Sequence, residues 1–146
     1  MAILSMERIR LQASAVNKLD AIRQAGALLV NNGCAKPAYI EGMLKRESTM
    51  STYLGNGVAI PHGMHENHPD VLQTSISIVQ FPDGVLWEDD DKAYLVIGIA
   101  AVGDGHMDIL SNLAEVIEDE EMAELMAQTN NAQFIYDRLT QEPIEA

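Results

Sequence analysis

Leu19, Ile22, Ala25, Leu28 and Leu29 recur at intervals of three and four, which sets them along one side of a helix. Asn17, with Asp20 three residues on, has the make-up of an amino-terminal cap, and Gly33 is placed to end that helix. A second helix is expected to start at Pro37, a favoured first-turn residue. It would run past Tyr39, Ile40, Met43 and Leu44 to about Arg46 and Glu47, where Ser48, Thr49 and Ser51 signal a loop. Helical spacing returns at Met107, Ile109, Leu110, Leu113, Val116 and Ile117, followed by two shorter segments over Glu120–Gln128 and Ala132–Leu139.

Other stretches carry strand patterns. Ile9–Ala13 alternates weakly and suits a short edge strand. Gly57–Ile60 is short, apolar and β-branched, as a buried strand should be. Pro61 cannot donate to a ladder and Gly63 permits positive φ, so that strand should stop there. Leu72–Phe81 is rich in β-formers; Pro82-Asp83-Gly84 then reads as a turn, with Val85-Leu86-Trp87 starting the return strand of a hairpin. Glu88–Asp91 reads as a solvated acidic turn. Tyr94–Val102 is almost continuously apolar, the pattern of a central strand covered on both faces, and Gly103-Asp104-Gly105 breaks it. Helices, hairpin and buried strands together predict an α/β fold: a single layered domain over residues 1–146, with a mixed β-sheet flanked by helices. Neither a repeat nor a low-complexity linker divides it.

Composition narrows the function classes. The net charge of −13 argues against nucleic acid or an anionic membrane surface as partner, since both would repel it. Cys34 is the single cysteine, so neither an internal disulfide nor a cysteine metal cluster can form, and a buried inert thiol is expected. No signal-peptide pattern and no segment of membrane-spanning length is evident, so the chain reads as cytoplasmic.

Chemistry concentrates between Gly55 and Pro69, which hold three of the four histidines. His62 should stand at the carboxyl end of the Gly57–Pro61 strand, where α/β proteins usually place reactive groups. His106 follows the turn that closes the Tyr94–Val102 strand, in the first turn of a helix whose backbone N–H groups favour an anion. If the two strands run in the same direction, both histidines emerge at one sheet edge. Such a pair suits phosphoryl transfer, one imidazole as nucleophile and the other stabilising charge, with an arginine to complete the site. Arg46, at the end of the helix leading into this region, is the candidate. His62, His65 and His68 also suggest zinc. However, the run contains Gly63 and ends at Pro69, so a helix is not expected, and three-residue spacing would not align the rings. No metal or other cofactor is expected. Ser75 and Ser77 lack the glycine elbow of a hydrolase serine.

Tyr53-Leu54-Gly55, Val58-Ala59-Ile60-Pro61-His62-Gly63, Leu95-Val96-Ile97-Gly98-Ile99-Ala100-Ala101 and His106, with Lys45-Arg46-Glu47 upstream, resemble the mannitol/fructose-type IIA components of the bacterial sugar phosphotransferase system. The likeness runs from Asn17 to the carboxyl-terminal helices. It implies the mannitol-type IIA fold and a phosphocarrier: His62 would take a phosphoryl group on Nε2 from phospho-HPr and pass it to a cysteine of a IIB domain. It also implies that Nδ1–H is anchored, most simply on a backbone carbonyl, and that His106 and Arg46 stabilise the phosphoryl oxygens. Two residues depart from the mannitol proteins: Met64 stands where they have threonine, and Gly105 replaces a glutamate before the second histidine. The acidic surface is expected to leave a largely apolar docking patch around His62, including Met64 and Met107. The alternatives are a regulatory, nitrogen-type IIA-like phosphoprotein, and a histidine-cluster metal-binding protein.

Overall fold

The computed structural model describes residues 4–140 except 89, 103 and 104, and leaves aside the side chains of 65, 105–108 and 140. Five strands form one mixed sheet: β1 (Ile9–Arg10), β2 (Tyr53–Gly55), β3 (Val58–Ala59), β4 (Ser75–Glu88) and β5 (Asp91–Ala100), in the order β1-β4-β5-β3-β2. β4 is antiparallel to β5 and β2 to β3, while β1 runs parallel to β4 and β3 parallel to β5. Five helices flank the sheet: α1 (Lys18–Asn31), α2 (Ala38–Thr49), α3 (Gly105–Glu118), α4 (Glu120–Gln128) and α5 (Ala132–Thr140).

Side-chain alternation along the central strands explains the layering. On one face Val79, Phe81, Val96 and Ala100 pack with Ile22, Ala25, Leu29 and Met43 of α1 and α2. On the other, Ile76, Ile78, Leu95 and Ile97 pack with Ile109, Leu113, Ile117, Met126 and Ile135 of α3, α4 and α5. From Leu95 onward β5 carries no polar side chain, because both of its faces are covered there. Each such aliphatic side chain contributes roughly 1.5–3 kcal/mol, far more than the surface ion pair between Lys45 and Glu66 (3.8 Å). Among the described residues no helix is long and apolar enough to cross a membrane.

Local chemistry sets the boundaries. Asn17 Oδ1 accepts from Asp20 N (2.9 Å) and Asp20 Oδ2 accepts from Val16 N (3.0 Å), which starts α1. Gly33, at φ +75°, ends it, with Cys34 N–H donating to the Leu29 carbonyl (2.9 Å). α2 runs three residues beyond Arg46. Ser48 and Thr49, expected as loop, donate their hydroxyls to the Lys45 and Arg46 carbonyls at 2.6 and 2.8 Å, satisfying acceptors that a helix end leaves open.

The expected turn at Pro82-Asp83-Gly84 is a bulge. The register jumps there from Gln80↔Leu95 to Val85↔Ala93 while β4 continues to Glu88, and the hairpin closes at the acidic run instead, with Glu88 paired to Asp91. Gly84 takes positive φ (+79°) and lies against Tyr94, where a side chain would collide at 2.9 Å. Val85–Trp87 therefore belong to the outgoing strand. β2, for which the hydrophobic pattern gives no cue, pairs with β3 through Asn56-Gly57, both at positive φ (50° and 79°). Asn-Gly is the strongest two-residue hairpin signal. The stretch His65–Asp70, expected to be non-helical, forms a 3₁₀ helix. Asn67 makes this possible: its Oδ1 accepts from Met64 N (2.8 Å) while its own N–H donates to the Met64 carbonyl (2.9 Å).

Candidate active site

β3 continues past Ala59 as a single further rung. Ile99 N–H donates to the Pro61 carbonyl (3.0 Å), and His62 pairs with Ile99 as an isolated parallel bridge. The backbone at His62 is thus registered against the end of β5. Its half-buried ring has Nδ1 2.8 Å from the Ile60 carbonyl. A carbonyl can only accept, so Nδ1 carries the hydrogen and the neutral ring keeps its lone pair on Nε2.

The strand does not end because Gly63 adopts positive φ, as the sequence suggests; Gly63 is absent from the residues in that region. It is glycine because a Cβ would stand 2.5 Å from Cε1 of Tyr39. Tyr39 is buried, and its hydroxyl accepts from Gly63 N–H (2.8 Å) and donates to the Ile99 carbonyl (2.7 Å). Burial raises the phenol pKa above the ordinary 10.0, and the Gly63 hydrogen bond opposes this only in part. Sequence reading places Tyr39 on a helix and gives it no role at the site; nothing local to it predicts a partner 24 residues away.

Arg46 lies in the last turn of α2, and its Nη1 donates to the Met50 carbonyl (2.7 Å). The next residue, Glu47, is buried and accepts from the backbone N–H (3.0 Å) and hydroxyl of Thr52. That carboxylate fixes the chain just after the helix. Arg46 and His62 line one cavity of about 550 Å³, together with Tyr39, Thr49, Met50, Gly63, Met64, His68, Ile99 and Ala101. No acidic residue is among the described lining residues, although the chain carries a net charge of −13. The described lining therefore combines one guanidinium and two imidazoles with no carboxylate, which favours a small anion.

Position 106 lies in the first turn of α3, immediately after β5. Because β3 and β5 are parallel, positions 62 and 106 fall at the same sheet edge. The side chain of His106 lies outside the described residues, as does that of Met107. His68 faces the cavity and the His65 side chain is not described. Among the described residues no group of three His, Cys, Asp or Glu could hold a metal ion. Cys34 is buried and unpaired with another cysteine.

An imidazole anchored through Nδ1 and a guanidinium lining the same cavity are groups suited to a small anion. Comparison with known proteins makes the class specific. Residues 2–142 match the phosphoenolpyruvate-dependent sugar phosphotransferase system EIIA 2 family, and the chain belongs to that family. It is 46% identical over 126 residues to the mannitol-specific phosphotransferase enzyme IIA component of Geobacillus stearothermophilus, covering 86% of this chain and 87% of that one. The fold is that of the IIA chain in the Escherichia coli complex of enzyme IIA-mannitol with phosphorylated enzyme IIB-mannitol. The TM-score there is 0.91 at 37% identity, over 97% of this chain and 100% of that one. The multiphosphoryl transfer protein of Escherichia coli O157:H7 is 43% identical over 130 residues, 89% of this chain; the chain spans about a third (35%) of that relative's length.

Proposed function

We propose that the chain works as one EIIA domain, residues 1–146, in the cytoplasm, and that Nε2 of His62 is its phosphoryl acceptor. The observation that carries this reading is the Nδ1 contact with the Ile60 carbonyl (2.8 Å), which puts the ring hydrogen on Nδ1 and the nucleophilic lone pair on Nε2. The donor is phospho-HPr. Nε2 attacks phosphorus, its N–P bond forms as the donor's N–P bond breaks, and the donor imidazole leaves with the electron pair. The thiolate of a IIB cysteine then attacks the same phosphorus, an S–P bond forms, and His62 recovers its lone pair.

Arg46 supplies positive charge from across the cavity during both steps, and His106, at the positive end of α3, stabilises the phosphoryl oxygens. The Met50 and Met64 rim offers a surface for either protein partner. The sugar is mannitol or a related hexitol, or fructose; the likeness to mannitol-specific IIA components supports this transport role over a regulatory one.

Incubation with phosphoenolpyruvate, enzyme I and HPr, followed by mass mapping, tests the assignment. An acid-labile phosphoryl group should map to His62 and vanish in His62→Ala. Full labelling of that variant would exclude His62 as acceptor.

A further inference from the structure

The final rung between the His62 strand and β5 differs from an ordinary parallel ladder. After Ile99 N–H to the Pro61 carbonyl, regular pairing would continue with Gly63 N–H to the Ile99 carbonyl. The Tyr39 hydroxyl bridges the two groups of that rung, accepting from Gly63 N–H at 2.8 Å and donating to the Ile99 carbonyl at 2.7 Å. One hydroxyl has a proton for the second bond and a lone pair for the first. The ring that carries it is buried against Gly63, on which any Cβ would intrude.

We infer that Tyr39 is a positioning residue for phosphoryl transfer, its hydroxyl fixing the backbone on the carboxyl side of His62 as the Ile60 carbonyl fixes the ring on the amino side. The inference rests on His62 being the acceptor. Two anchors then set the angle at which Nε2 meets phosphorus: Nδ1–H on Ile60, and residue 63 tied to β5 through α2. In-line transfer depends on that angle, and a misplacement of about 1 Å can cost on the order of 10²-fold in rate. Tyr39 also faces the cavity, yet both hydrogen-bonding roles of its hydroxyl are spent on backbone. It acts through His62.

The test is Tyr39→Phe, which keeps the ring and removes the hydroxyl bridge. Single-turnover transfer from phospho-HPr should slow about tenfold with KM for the donor within twofold of wild type. The Gly63 amide should lose hydrogen-exchange protection while the label still maps to His62. An unchanged rate together with the lost Gly63 protection would overturn the inference and leave the acceptor assignment intact, as would a raised KM with an unchanged rate. A wild-type label on another residue would overturn both. Should Tyr39→Phe not fold, 3-fluorotyrosine at position 39 keeps the hydroxyl and weakens it as an acceptor. A severalfold slower transfer then supports the role, and a rate equal to wild type overturns it.

Discussion

Gly63→Ala is the most direct probe of how this site is assembled. The added Cβ would stand 2.5 Å from Cε1 and 3.0 Å from Cζ of Tyr39, and 3.2 Å from Cβ of Asn67. Carbon atoms at ordinary contact are about 3.5–4.0 Å apart, so something must move by roughly 1 Å. Tyr39 is 4% exposed and cannot swing into solvent. Gly63 is not in the left-handed region, so no backbone strain adds to the collision. Overpacking of this kind costs about 1–3 kcal/mol. Displacing the ring also weakens two hydrogen bonds worth about 0.5–1.5 kcal/mol each, for a total of about 2–6 kcal/mol. At about 2–4 °C per kcal/mol for a domain of this size, Tm should fall by roughly 4–24 °C. Thermal melts followed by near-ultraviolet circular dichroism measure it, and transfer at a temperature where the variant is folded should also be slowed. A Tm within about 1 °C of wild type would refute the argument that this glycine exists to admit the tyrosine ring.

Two other outcomes are expected. Arg46→Ala should slow phosphoryl transfer by about 10²-fold or more, the usual cost of removing one charge-stabilising donor; Arg46→Lys, which keeps the charge without the planar fork, should recover part of it. Identical rates for both variants and wild type would make Arg46 only the helix-end donor to Met50. At high pH the raised pKa of Tyr39 has a defined sign: its contribution is present below the unfolded-state pKa of about 10 and is lost as pH rises through the folded value. Urea denaturation should therefore show the stability gap between wild type and Tyr39→Phe narrowing above pH ~10, and an equal gap at about pH 8 and about pH 11 would contradict it.

Periodicity alone determined the layered plan. The 3.6-residue spacing of α1 and α3 and the apolar run in β5 each state which faces must be covered, and Asn17 starts and Gly33 ends the first helix where their chemistry requires. His62 and Arg46 were legible as candidates for the same reason: a strand end before Pro61 and a helix end are local features. What they become together was not local. Only strand pairing decided that Pro82–Gly84 is a bulge, because a turn and a bulge use the same residues and differ in which partner continues alongside. Only the packing of α2 over the end of β5 brought Arg46 and His62 to one cavity and placed the Tyr39 hydroxyl between Gly63 and Ile99. Residues 39, 63 and 99 are far apart in the chain, and a contact made by chain folding leaves no periodic trace in a single sequence.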